Sequence, residues 1–178
     1  MEEIPLGSLY LALVVLILFS GFFSSSETGL MAINKYRLRH LANKGHRGAR
    51  LAQKLLQKPD RLIGLILLGN NLVNILAASI ATVIGIRLFG LNGVWIASLI
   101  LTVVILIFSE VAPKTVAAVH PERIAFKASY PLYGLLKLFY PIVWLVNGLA
   151  NLVLRPFRVH TNVELMEHLN REELRTLV

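Results

Sequence analysis

The chain has 178 residues, 56% of them hydrophobic and only 16% charged, with a mean hydropathy of +0.66; that suits one domain whose surplus apolar surface faces lipid rather than water. The absence of cysteine excludes a disulfide framework, a thiolate metal site and a cysteine nucleophile. A net charge of +8 points to an anionic partner. Nine of the eighteen Lys and Arg residues fall in residues 35–61, between two long apolar runs and with few aromatics for stacking bases, so an anionic membrane surface fits better than nucleic acid.

The first apolar run covers residues 4–33. It is too long for a signal peptide and lacks a basic start. It exceeds the roughly 20 residues that a membrane helix needs, and it predicts a span over about 7–33. Its stretch 9–23 is almost free of polar groups, and Ser24-Ser25-Ser26-Glu27-Thr28-Gly29 follows. Residues 35–58 are basic and weakly amphipathic, which predicts two short helices on the membrane surface, broken at Gly45 and Gly48. Pro59-Asp60 restarts the chain, with Asp60 as the expected N-cap.

The second span is predicted over 62–86, interrupted by Gly69-Asn70-Asn71 and by Asn74. A short turn follows, and the third span is predicted over 94–120. That span is apolar through Phe108, then meets Ser109-Glu110-Val111-Ala112-Pro113-Lys114. Residues 130–154 are apolar but cut by Pro131, Lys137, Pro141 and Asn147; they read as interfacial helices with Trp144 at headgroup level, a fourth span being the alternative. Residues 155–178 are polar and read as a cytoplasmic linker. A helix start follows at Asn170, three residues before Glu173, and a soluble region beyond Val178 is expected. The expected fold is an all-α membrane protein with three transmembrane helices plus juxtamembrane and interfacial helices. The basic residues of 35–61 put that segment in the cytoplasm, hence the N-terminus outside and the C-terminus inside.

Each span carries one polar cluster at a similar depth. Ser24 lies ten residues before Asn34, Asn70 nine after Arg61 and Glu110 ten before His120. At 1.5 Å per residue each is roughly 14–15 Å from its helix end, near the middle of a ~30 Å hydrocarbon core. A carboxylate there must be protonated, paired or hydrated. Lys114, four residues from Glu110, is a competing internal partner. Glu27 is a second carboxylate, and with serine hydroxyls and asparagine carbonyls the donors are all oxygen, which suits Mg²⁺, Ca²⁺ or Na⁺. Pro113 removes the hydrogen bond to the carbonyl four residues earlier, so the Ser109 carbonyl is expected to be free for an ion. Ser24, Asn70, Ser109 and Glu110 are therefore the leading metal candidates. Ser25, Ser26, Glu27, Asn71 and Asn74 are secondary, and Pro113 and Lys114 mark the helix break. Helix packing alone is the competing reading for the serines and asparagines. No nucleophile–base constellation or phosphate-cradling glycine loop appears, so an enzyme is not expected.

At these residues the sequence resembles a known family. Phe23-Ser24-Ser25-Ser26-Glu27-Thr28-Gly29, Gly69-Asn70-Asn71-Leu72-Val73-Asn74 and Ser109-Glu110-Val111-Ala112-Pro113-Lys114-Thr115 resemble, in order, the membrane domain of the CorB/CorC and cyclin M proteins. Tyr36-Arg37-Leu38-Arg39-His40 and Lys58-Pro59-Asp60-Arg61 resemble the bacterial CorB branch. The resemblance implies a homodimer in the bacterial inner membrane. It implies Mg²⁺ export with Na⁺ as a candidate coupling ion, cobalt resistance, and cytoplasmic CBS domains that hold nucleotide. By motif it implies that Ser24, Asn70 and Glu110 bind a dehydrated ion, with Ser109 acting through its carbonyl. A membrane sensor that binds Mg²⁺ without transporting it, and a purely structural anchor, are the other readings. Ser25 stands where the family usually has glycine, and Lys114 follows the bacterial pattern.

Overall fold

The computed structural model describes residues 5–154, which are helical throughout apart from short turns. Expectations for residues 1–4 and for the linker and helix start in 155–178 lie outside the described residues. Helix α1 covers Leu6–Ala32. It ends where Ile33 turns extended, and Asn34 then caps α2, Lys35–Asn43, its side chain accepting from the Tyr36 and Arg37 N–H groups at 3.0 and 3.1 Å. Helix α3 is Arg47–Leu56, and the His46 ring accepts from the Ala49 N–H at its start. The break between α2 and α3 is at Gly45 alone, whose φ of 95° favours glycine. Gly48 does not break the chain as expected. It sits inside α3, where a Cβ would lie 2.9 Å from the Phe126 side chain, so its role is close packing.

Helix α4 runs Pro59–Phe89, 31 residues. Its N-cap is Lys58 rather than Asp60: Pro59 takes the first helical position and Asp60 the first turn, where its charge suits the helix dipole. A 3₁₀ turn, Gly90–Asn92, reverses the chain, with Gly90 at φ 64°. The third rod is helical from Gly93 to Val119 in three pieces: α5, Gly93–Val104, a π-helical segment, Ile105–Val111, and α6, Ala112–Val119. The apolar stretch Pro59–Val119 is 61 residues long, about three times a span, and it is folded back on itself at Gly90. At the fold Gly85 and Gly93 touch backbone to backbone with no room for a Cβ on either.

Helix α7, Pro121–Leu138, starts nine residues earlier than the predicted interfacial region, and α8 is Tyr140–Leu154. The two meet at a bend of 79°, so no straight fourth span forms. Helices α2 and α3 form a basic collar that packs on α7, which in turn packs on α1. Arg37 Nε contacts Glu122 Oε1 at 2.7 Å across the collar. The protein's core lies here, with Leu30, Leu55, Leu62, Ile66, Ala125 and Leu132 almost fully buried. Above the collar the rods leave Leu11, Leu18, Ile75, Leu99 and Phe108 open. Large apolar side chains so exposed along membrane-length helices belong against acyl chains, and the molecule is an all-α membrane protein.

Candidate functional site

The polar groups fall in two places: where α1 packs on α4 and the third rod, and in a groove between α4 and the third rod. On α1, Ser20 and Ser24 are four residues apart and share a face, both about 1% exposed. The Ser20 hydroxyl donates to Asn70 Oδ1 at 2.9 Å, tying α1 to α4. The Ser109 hydroxyl, fully buried, donates to the Ile17 carbonyl at 3.1 Å, tying the third rod to α1. Ser24 Oγ is buried and has no hydrogen-bond partner among the described residues. Leaving a buried hydroxyl unsatisfied costs on the order of 1–3 kcal/mol, so this oxygen is open to a further partner.

The π segment sets the geometry of the third rod. The Ala112 N–H bonds to the Ile107 carbonyl five residues back, one residue wider than an α turn. In that register the carbonyl opposite Pro113, which has no N–H to give, belongs to Phe108 and not to Ser109 as the sequence suggested. The Phe108 carbonyl abuts Gly21 on α1, where a Cβ would lie 3.3 Å from it and 3.2 Å from Pro113 Cγ. Gly21 thus lets the proline ring and this carbonyl press against α1.

Glu110 is half-buried and lines a groove of about 340 Å³ with Asn74, Ser98 and Thr102. Asn74 Oδ1 is buried without a hydrogen-bond partner among the described residues. Among the described residues Glu110 forms no ion pair with Lys114, which is exposed, so the competing internal pair does not form. Measured from the ends at Ala32, Pro59 and Val119, Ser24, Asn70 and Glu110 lie about 12, 16 and 14 Å along their helices, within one turn of each other.

The structure therefore joins Asn70 to Ser20, places Ser24 one turn from Ser20 on α1, and groups Glu110 with Asn74. Ser25 and Ser26 both donate to the Phe22 carbonyl of their own helix. Glu27 is partly buried one turn nearer the collar, and Asn71 lies on the open face of α4. Ser20 was missed by sequence reasoning. The signal for it was present: it is the serine four residues before Ser24 in an otherwise apolar run.

The model of the cyclin M transmembrane N-terminal domain matches residues 11–178. The chain belongs to that family. It is similar to a UPF0053 protein of Haemophilus influenzae, 49% identical over 178 residues, covering all of this chain and 42% of that protein. It is 50% identical over 159 residues to the UPF0053 inner membrane protein YfjD of Escherichia coli, covering 89% and 37%. It is 31% identical over 164 residues to a polyamine export protein of Haemophilus influenzae, covering 85% and 38%. The chain spans about two fifths of the length of these relatives. In this cyclin M domain the three motifs lie on three packed rods: hydroxyl, carboxamide and backbone carbonyl oxygens lie where α1 meets the other two, and the Glu110 carboxylate lies with the Asn74 carboxamide in the groove between α4 and the third rod. Such donors match a hard cation that has shed part of its water.

Proposed function

We propose that this cyclin M domain carries Mg²⁺ out across a bacterial inner membrane, as a homodimer and with Na⁺ as the coupling ion. It works as a carrier and not as an enzyme. The observation that supports this most is Glu110. It is an acid in the middle of a membrane-length rod, without a cation partner among the described residues, sharing a groove with the unpartnered Asn74 oxygen. An acid at that depth needs a compensating charge or water, and a transported cation supplies the charge.

Mg²⁺ keeps near-octahedral geometry and gives up water reluctantly. Ser24 Oγ, the Asn70 and Asn74 carboxamide oxygens and the Glu110 carboxylate would replace part of the hydration shell in turn. The Phe108 carbonyl, held at Gly21, adds a fixed dipole. The tight Gly85–Gly93 crossing makes α4 and α5 one hairpin, which can rock against α1 to open the site to either side. YfjD is named an inner membrane protein, and the basic collar supports the cytoplasmic placement of α2 and α3.

Relatives at 31% and 29% identity are named polyamine export proteins, which favours a second reading. A polyamine carries ammonium groups on an apolar chain. The groove offers Glu110 and Asn74 beside Leu101, Ile105 and Leu106, a suitable mixture. The two readings separate in one experiment on the full-length protein in liposomes, which measures Mg²⁺ and spermidine flux side by side. Mg²⁺ flux is expected, and Glu110→Ala and Asn70→Ala are each expected to lower it at least tenfold, the equivalent of about 1.4 kcal/mol. Wild-type Mg²⁺ flux from both variants would remove the proposed site. Spermidine flux without Mg²⁺ flux selects the second reading.

A further inference from the structure

We infer that the groove between α1, α4 and the α7–α8 bend is a binding site for one phospholipid, its acyl chain in the groove and its phosphate on Arg61. The groove holds about 480 Å³ and has no polar lining at all; Phe22, Leu68, Leu72, Pro131, Leu135 and Phe139 form its walls. It follows α4 from Leu65 to Val73, about 12 Å of helix, at the depth of the collar-side half of the bilayer. Water has no polar partner there and would not be held. A hydrocarbon chain meets only apolar contacts. Gly69 shapes the inner wall, since a Cβ there would strike the tip of the Phe23 ring.

The headgroup end is set by Arg61. It lies one turn before Leu65, at the collar end of the groove. Its guanidinium sits 5.0 Å from the centroid of the Tyr140 ring, next to Phe139. Among the described residues Arg61 has no carboxylate partner. A guanidinium stacked on an aromatic face keeps the N–H groups at its edge available, and two of them match a phosphate. An acyl-length apolar groove that ends at a stacked, unpaired guanidinium fits a phospholipid, and an anionic one best. A second copy of this chain fits poorly, because a two-fold axis through the groove would set one Arg61 against the other.

The test is native mass spectrometry of the full-length protein released from mild detergent, then stripped and refilled with phosphatidylglycerol or phosphatidylcholine. The wild type is expected to retain one phospholipid per protomer and to prefer phosphatidylglycerol. Leu135→Trp fills the groove and is expected to abolish retention. Leu72→Trp, on the opposite and more open wall, gives the same reading should the first variant fail to fold. Arg61→Gln is expected to keep the lipid but to lose about fivefold of the preference for the anionic headgroup. A wild type that holds no phospholipid, or groove-filled variants that hold as much as the wild type, would overturn the proposal. So would a disulfide between Leu135→Cys protomers in bilayers, which would put a second copy in the groove. None of these readings depends on transport.

Discussion

Ser24 and Ser20 differ by one turn and by one hydrogen bond, and that difference gives them opposite roles. The Ser20 hydroxyl is satisfied by Asn70 Oδ1. Its removal breaks a contact between helices worth about 0.6 kcal/mol in a membrane. Ser24 Oγ is equally buried and bonds to nothing. Replacing an unsatisfied buried hydroxyl with a methyl-sized side chain removes a cost and loses no bond. Ser24→Ala is therefore expected to leave the ion-free full-length protein as stable as the wild type, or up to about 1 kcal/mol more stable. Ser20→Ala is expected to be slightly less stable. The discriminating measurement is thermal unfolding with and without Mg²⁺. A ligand that binds only the folded protein raises its melting temperature, and Ser24→Ala should lose most of that rise. A full Mg²⁺ response in Ser24→Ala would take Ser24 out of the ion's path. The sequence marked Ser24 by its motif. It passed over Ser20, because a lone serine in an apolar run ordinarily bonds to its own helix, as Ser25 and Ser26 do here.

The third rod owes its chemistry to a change of helical register that no single residue announces. Pro113 is readable in the sequence as a missing N–H and a clash with the preceding turn. How the helix absorbs that defect is not readable, since a kink, a break or a widened turn would each serve. Here the turn widens over Ile105–Val111. The expected freed carbonyl moves from Ser109 to Phe108, and Glu110 is turned into the groove beside Asn74. One extra residue in the ladder rotates everything beyond it by about 100°. Pro113→Ala restores the missing N–H and is expected to let the segment relax toward α-helix, turning Glu110 away from Asn74. Paired cysteines at positions 74 and 110 should then cross-link less readily than in the proline background, while the melting temperature stays level or rises. Unchanged cross-linking would show that packing at Gly21 alone holds the wide turn. The complementary change, Gly21→Ala, puts a Cβ 3.2 Å from Pro113 Cγ and is expected to cost about 1–3 kcal/mol by overpacking. Elsewhere the sequence showed where helices must stop but not how they pack. Gly48 looked like a break because glycine is a poor helix former, yet contact with Phe126 is what requires it.

The whole molecule divides into a part that the bilayer dictates and a part that packing dictates. The three rods were legible to within a few residues, because a ~30 Å hydrocarbon core demands long apolar runs and Leu6–Ala32, Pro59–Phe89 and Gly93–Val119 supply them. The α7–α8 bend was not legible. An apolar stretch interrupted by prolines is compatible with a span or with a surface helix until its contacts with α1 and α4 are known. Orientation belongs to the same scale, and it follows from charge. The nine Lys and Arg residues of 35–61 sit on one end of the bundle, and each is worth about 1 kcal/mol beside an anionic leaflet. The opposite end offers Arg87 as its one basic residue between the second and third rods. From that imbalance we propose that the collar faces the cytoplasm and the Gly90–Asn92 turn the outside. This region contributes no cysteine of its own, so once any cysteine elsewhere in the full-length protein is replaced, a single introduced one reports alone. Leu91, 84% exposed at the turn, changed to cysteine in the full-length protein, should react with a membrane-impermeant thiol reagent added to intact spheroplasts. Lys44→Cys, exposed between α2 and α3, should react only after the membrane is opened. The reverse pattern would turn the molecule over and put the collar outside.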